Sequence, residues 1–286
     1  MPDFVVHDEL ADFWAVTKAF YAADPVRHTV ALTVIARRLA NPSPDEPKEI
    51  LVTAHDGPDL VGAAVRTPPW PLIASAIPVD LAADFVDFLL GIAPDLNGVS
   101  GERESADAFA AAWCDRTGRL VDETISMRLF RLGTLLTPAV PGRMRLATVA
   151  DVEFLGPWHR AFMVEAMSHL PADLDHVAEL RTQIEHGQAT HAFWEVDGVP
   201  VSWAAVSPPV NAMSRVGPVY TPTEHRNHGY AAAITAAVST WARRAGATEV
   251  LLYTDLANPT SNGVYQRIGF VPVLDAAELL FTTTST

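Results

Sequence analysis

The sequence has almost no cysteine and almost no lysine. One of its 286 residues is cysteine, Cys114, which excludes an internal disulfide framework and any metal site built from several thiolates. Lys18 and Lys48 are the two lysines, and arginine supplies the other cations. Lysine and arginine together number 20 against 34 aspartates and glutamates, a formal charge of −14. The chain therefore lacks the basic surplus with which a protein neutralises a phosphate backbone, and no nucleic-acid partner is expected. A cationic or neutral small partner fits this charge better. No apolar run approaches the roughly 18 residues that cross a bilayer, so no membrane partner is expected either. The opening MPDFVVHDEL lacks a basic segment followed by an apolar one, and the expected location is cytoplasmic. Disorder is excluded as well, since 49% of the residues are hydrophobic. The length allows one large or two ordinary domains.

What is present begins with a repeat. Asp56-Gly57 is followed after five residues by Ala63-Ala64-Val65, and then by Pro68-Pro69. Asp197-Gly198 is followed after five residues by Ala204-Ala205-Val206, and then by Pro208-Pro209. Asp-Gly between strand-like runs marks a hairpin, because both residues tolerate positive φ. The strands are expected over Ile50–Ala54 and Val61–Arg66, and again over His191–Val196 and Val201–Ser207. Duplication follows, with a proline-rich linker near Leu136–Arg145 and domains at 1–138 and 139–286. The second half then reads as a helix over Val149–Met167, a hairpin, a strand, a helix, a strand, a short helix and a strand. The expected fold class is α/β, of the α+β kind.

The chemistry concentrates in the second half. Arg215–Thr221 reads as a buried strand interrupted at Gly217-Pro218, which suggests a bulge. A polar turn follows, and then Arg226-Asn227-His228-Gly229-Tyr230-Ala231 leads into a helix capped near Gly246. A helix start of this kind offers unpaired N–H groups and a positive dipole end, suited to phosphate oxygens. Gly229 and Ala231 let a diphosphate approach the backbone, and Arg226 can add charge. Glu249–Thr254 reads as the next strand. Asn258 before Pro259 then reads as a helix cap, with Tyr265 seven residues on and Gly269 closing the short helix.

From Val219 to Phe270 these residues resemble the acetyl-CoA core of the GNAT superfamily of N-acetyltransferases. The resemblance rests on Arg226, Gly229, Ala231, Asn258, Tyr265 and Gly269-Phe270, in order and at the family's spacing. It departs at Ala231, where glycine is commoner. It implies tandem GNAT-like domains, each a mixed and mostly antiparallel sheet flanked by helices. It also implies acetyl-CoA as the acyl donor, with Val219, Tyr220 and Thr221 pairing with the pantetheine arm. Amides of Arg226, Asn227, His228, Gly229, Tyr230 and Ala231 would then hold the diphosphate, Asn258 would bond the pantetheine, and Tyr265 would protonate the leaving thiolate. The implied activity is direct transfer of an acyl group to a primary amine of a small molecule or peptide in a ternary complex.

Some family members carry a glutamate on the strand before the asparagine. The residue twelve before the tyrosine is here Tyr253. Glu165, Glu195 and Asp255 are the remaining candidates for a general base, alongside a water chain. The first half has no phosphate loop: an offset of 141 residues sets Phe85, Phe88 and Leu90 opposite Arg226, Gly229 and Ala231. The same offset sets Thr117 and Thr124 opposite Asn258 and Tyr265. The first half is thus expected to be a degenerate copy kept for packing or for shaping an acceptor cleft. A monomer or a homodimer is compatible with that arrangement. Ten histidines show no His-x-His, His-x3-His or HExxH spacing, so no metal is expected. The rival reading is a non-catalytic acyl-CoA-binding sensor or interaction protein.

Overall fold

The computed structural model describes residues 2–42, 47–166 and 175–283, with the backbone alone at 123 and 124. Met167 and the side chain of Thr124 lie outside the described residues. The chain divides into two units, residues 1–127 with 274–286, and residues 128–273.

The first unit contains β1 (Asp3–Val6), α1 (Leu10–Ala23), α2 (Thr29–Ala40), β2 (Ile50–Asp56), β3 (Asp59–Arg66), β4 (Leu72–Ile73), α3 (Ala82–Leu90), β5 (Gly98–Glu102) and α4 (Arg103–Thr117). The strand β6 (Leu120–Leu132) starts here and runs into the second unit. The second unit holds β7 (Arg143–Leu146), α5 (Val152–Ala166), α6 (His176–Glu185), β8 (Thr190–Val196), β9 (Val199–Val206), β10 (Met213–Tyr220), α7 (Tyr230–Arg244), β11 (Glu249–Asp255) and α8 (Pro259–Arg267). Finally β12 (Phe270–Thr282) starts in the second unit and ends in the first.

The element order of the two halves is the same. In each, two helices separate the first two strands, a hairpin follows, and a helix joins the two strands that pair in parallel. The pairings β1–β2, β2–β3, β3–β4, β5–β12, β7–β8, β8–β9 and β9–β10 are antiparallel. The two units are thus α/β and GNAT-like in arrangement, with one exchange. Residues 276–280 of β12 lie antiparallel on β5 of the first unit, while β6 takes the corresponding place beside β11 in the second. The expected break between 138 and 139 therefore differs from the observed one. The last strand of each half leaves its own half, because a sheet edge with free N–H and C=O groups is satisfied equally well by either copy.

Both hairpins form where the Asp-Gly pairs predict. Their turns differ: Val196↔Val199 close around Asp197-Gly198, whereas Asp56↔Asp59 close around Gly57-Pro58. The first turn sits one residue later because Pro58 cannot donate to the ladder and goes to the turn. The interruption expected at Gly217-Pro218 is a register shift of β10 against β9 between Val216 and Val219.

Each unit has its own apolar core. In the first, Phe85, Val86 and Leu89 of α3 meet Phe109 and Trp113 of α4 and Val52, Ala64 and Val99 of the sheet. In the second, Ile234, Val238 and Ala242 recur along α7 at helical spacing and pack on Ala204, Val206, Val216, Val250 and Leu252. A second cluster, Val152, Leu155, Leu180, Phe193 and Trp203, seats α5 and α6 on β8 and β9.

Buried histidines make stability depend on pH: His28 in the first unit, and His159 and His191 in the second, of which His28 and His191 serve as the examples. His28 lies against Ser75, with Nδ1···Oγ at 3.1 Å, and His191 lies under Trp203. Burial holds both imidazoles down to about 4, against an ordinary value of 6.5. Each is neutral in the fold and takes up a proton on unfolding below pH 6.5. Stability is therefore full above pH 6.5 and falls as the pH drops from there towards 4, by about 3 kcal/mol per histidine. Thermal melts across that window should show the loss, and His191→Gln should flatten part of it. A melting temperature that stays level down to about pH 4 would contradict this account.

Candidate active site

The ladder between β10 and β11 begins at Met213↔Glu249 and stops at Val216↔Leu252. Both strands continue, β10 to Tyr220 and β11 to Asp255. Beyond that point β10 pairs with β9, through Val219↔Ala204 and Tyr220↔Trp203. The bulge at 217–218 turns the strand, so among the described residues its far edge is open over Val219 and Tyr220 and can accept an extended chain as an extra strand. Thr221 follows directly. Its hydroxyl lies 2.8 Å from Ser202 Oγ, and Ser202 Oγ donates to the Tyr220 carbonyl.

The loop after β10 turns through Asn227, at φ +66, and Gly229, at φ +81, before α7 begins at Tyr230. Gly229 is the cap residue, and a Cβ there would meet Val140 Cγ2 at 3.0 Å. Positive φ and close approach both select glycine, and they leave the first amides of α7 uncovered by a cap side chain. His228 Nδ1 lies 2.7 Å from the Arg226 carbonyl, and its ring stacks on Tyr230 at 5.4 Å. The Arg226 guanidinium is held rather than free. Its Nε donates to the Thr221 carbonyl at 2.9 Å and its Nη2 donates to both Glu165 oxygens at 3.0 and 2.8 Å.

At the end of β11, Asp255 Oδ1 accepts from the Ala257 amide and Asn258 caps α8 by accepting from the Ser261 amide at 3.0 Å. That cap uses the oxygen of the Asn258 amide and leaves its NH2 as the end available to a ligand. Tyr265 is 9% exposed, within the apolar cluster of α7, β11 and Phe270. Burial pushes its phenol up to about 12, so the hydroxyl carries its proton at neutral pH.

An open edge on a parallel strand pair thus lies with a glycine-capped helix start and a capping asparagine at the ends of β10 and β11. The model of the acetyltransferase (GNAT) family matches residues 153–270. Those residues are a GNAT domain. Among solved structures, a Drosophila protein matches all of this chain with all of its own, at 12% identity and a TM-score of 0.69. A GNAT acetyltransferase from Colwellia psychrerythraea covers 98% of this chain with its whole length, at 12% identity and a TM-score of 0.60. A tandem GNAT protein of the clavulanic acid biosynthesis pathway covers 100% of this chain with 99% of its own, at 13% identity and a TM-score of 0.58. These likenesses are of fold, and they extend the tandem arrangement over the full chain. No curated protein matches the sequence.

The GNAT domain's three carboxylate candidates for a base are all engaged elsewhere. Glu165 is paired with Arg226. Glu195 is buried on β8, where Arg145 Nε donates to it at 2.5 Å while the same guanidinium donates to Asp151 at 2.9 and 3.0 Å. Asp255 caps the turn into α8. Glu165 and Arg226 are 61 residues apart, and nothing in the local sequence of either announces the pair.

Among the described residues the first unit lacks this equipment, and the alignment by helix shows it better than a constant offset. Helix α3 starts at Ala82 where α7 starts at Tyr230, so Pro78 and Leu81 stand opposite Arg226 and Gly229. Leu81 has φ −99, and Asp80 adds a negative charge at this helix start. Counting from the caps of α4 and α8, Glu102 stands opposite Asn258 and the buried Phe109 opposite Tyr265, rather than Thr117 and Thr124. A phenyl ring there has no proton to give.

Proposed function

We propose that the GNAT domain transfers an acyl group from acetyl-CoA to a primary amine, directly, in a ternary complex. The observation that carries this reading is the open edge of β10 beyond Val216, flanked by Gly229 and Asn258. The helix start fits the donor: glycine at 229 brings no side chain to it, and the uncapped amides of α7 are suited to a diphosphate. Acetyl-CoA, when bound, supplies the activated acyl group. Val219, Tyr220 and Thr221 would pair with its extended arm, and the amides of 226–231 would hold its phosphates. Arg226, tied to Glu165, would shape this loop and add charge as a paired group. The Asn258 NH2 would donate to the arm, and the Tyr265 hydroxyl would donate a hydrogen bond to the departing sulfur. An amine must lose a proton during the transfer. With Glu165, Glu195 and Asp255 committed, a water chain is the route proposed for it. The negative charge of the chain favours a cationic amine by steering.

Thiol release from acetyl-CoA, measured with polyamines, aminoglycosides, amino acids and peptides, tests this. Thiol release with at least one amine, and intersecting rather than parallel initial-rate lines, is the expected result. The engaged carboxylates favour a second reading, a non-catalytic acyl-CoA sensor. It predicts stabilisation by acetyl-CoA with no thiol release for any amine.

A further inference from the structure

One cluster of chemistry-bearing groups that acyl transfer does not use lies between α5 and α6. The two helices approach closely at Gly156, where a Cβ would lie 2.7 Å from Val177 Cγ2. One turn along α5 from this contact, His159 faces His176, with Nδ1···Nδ1 at 3.0 Å and the rings at 80°. Glu179, one turn along α6 from His176, brings Oε2 to 4.0 Å from His159 Nδ1. One ligand atom from each of the three residues lies within 4.8 Å of the others. Tetrahedral Zn2+ with bonds of about 2.0–2.2 Å sets its donors roughly 3.3 Å apart, so a small swing of the Glu179 side chain completes the set.

The carboxylate is oriented from behind. Trp203 Nε1 donates to His191 Nδ1 at 3.2 Å, which places the His191 proton on Nε2. That Nε2 donates to Gln183 Oε1 at 2.9 Å, and Gln183 Nε2 donates to Glu179 Oε1 at 3.0 Å. The chain of bonds occupies Oε1 and turns Oε2 towards the histidines. The edge of Trp203 also abuts His159, at 5.7 Å between rings. An outer shell of this kind is what fixes ligands in metal sites.

We propose that His159, His176 and Glu179 form a binding site for a divalent transition metal of the zinc type, which clamps α6 to α5 and leaves one coordination position for water. Its ligands come from two helices and are 17 residues apart at their widest histidine spacing, so no local motif displays it. The site replaces the expectation that the chain binds no metal, and it is independent of the acyl-transfer reading.

Titration of the untagged, chelator-treated protein with Co2+ tests the site. The expected result is one Co2+ per chain with the visible bands of a tetrahedral or five-coordinate ion, displaced by Zn2+, and a raised melting temperature. His176→Gln and Glu179→Gln should each weaken binding by at least the roughly 10- to 100-fold that loss of an outer-shell partner costs. Melts of the metal-free variants show whether they are folded, and two separate variants guard against a misfolded one. Absence of Co2+ binding by the wild type, or unchanged affinity in both folded variants, overturns the proposal.

Discussion

Replacing Tyr265 with phenylalanine is expected to lower acyl-transfer turnover about 100-fold while leaving the affinity for acetyl-CoA unchanged. The ring is kept, so the apolar cluster of Ile234, Leu252, Ile268 and Phe270 keeps its packing and the fold persists. The lost group is a hydroxyl that burial has pushed up to about 12. A thiol ordinarily titrates near about 8.5, so a phenol at about 12 does not hand its proton to a fully formed thiolate downhill. In the proposed reaction it would serve instead as a hydrogen-bond donor that stabilises charge as it develops on sulfur. That sets the expectation at the lower end of the roughly 10²- to 10⁴-fold range for positioned acids. Thiol release and an acetyl-CoA thermal-shift titration on the same preparation separate the two quantities. Unchanged turnover would remove Tyr265 from this role and leave the donor site untouched.

Gly229→Glu is expected to abolish the stabilisation that acetyl-CoA confers. Wild type at a ligand concentration of 100 times Kd should gain about 2.7 kcal/mol, and the variant none. The backbone at Gly229 is left-handed, and the new Cβ would meet Val140 at 3.0 Å, so any side chain is strained there. Glutamate adds a carboxylate at the helix start where the diphosphate would lie, and the two negative charges exclude one another. Gly229→Ala carries the strain without the charge, and is expected to keep binding within about tenfold. Coenzyme A should behave as acetyl-CoA does, because the diphosphate is common to both. Tight binding that survives in the glutamate variant would show that the phosphates lie elsewhere.

Much of this site is legible in the sequence because its parts are local. A cap such as Asn258 acts on Ser261, three residues on, and a left-handed glycine acts at its own position. The β10 bulge was readable from Gly217-Pro218 for the same reason. The base was not readable. Glu165 is a reasonable candidate by type, and only the pairing across 61 residues shows it engaged by Arg226. The first half misled through its spacing. Its loops have other lengths, so a constant offset pointed to Phe85 and Thr117 where the helix starts point to Pro78 and Glu102.

The sequence by itself determined the two copies, their hairpins, the glycine-capped start of α7 and the capped start of α8, since turns and caps are set by interactions within a few residues. Tertiary structure decided the exchange of β6 and β12, the ion pairs that occupy Glu165 and Glu195, and the meeting of His159 with His176. Those depend on which surfaces pack together. Packing is a property of the whole apolar pattern, and it leaves no mark in the few residues around any one partner.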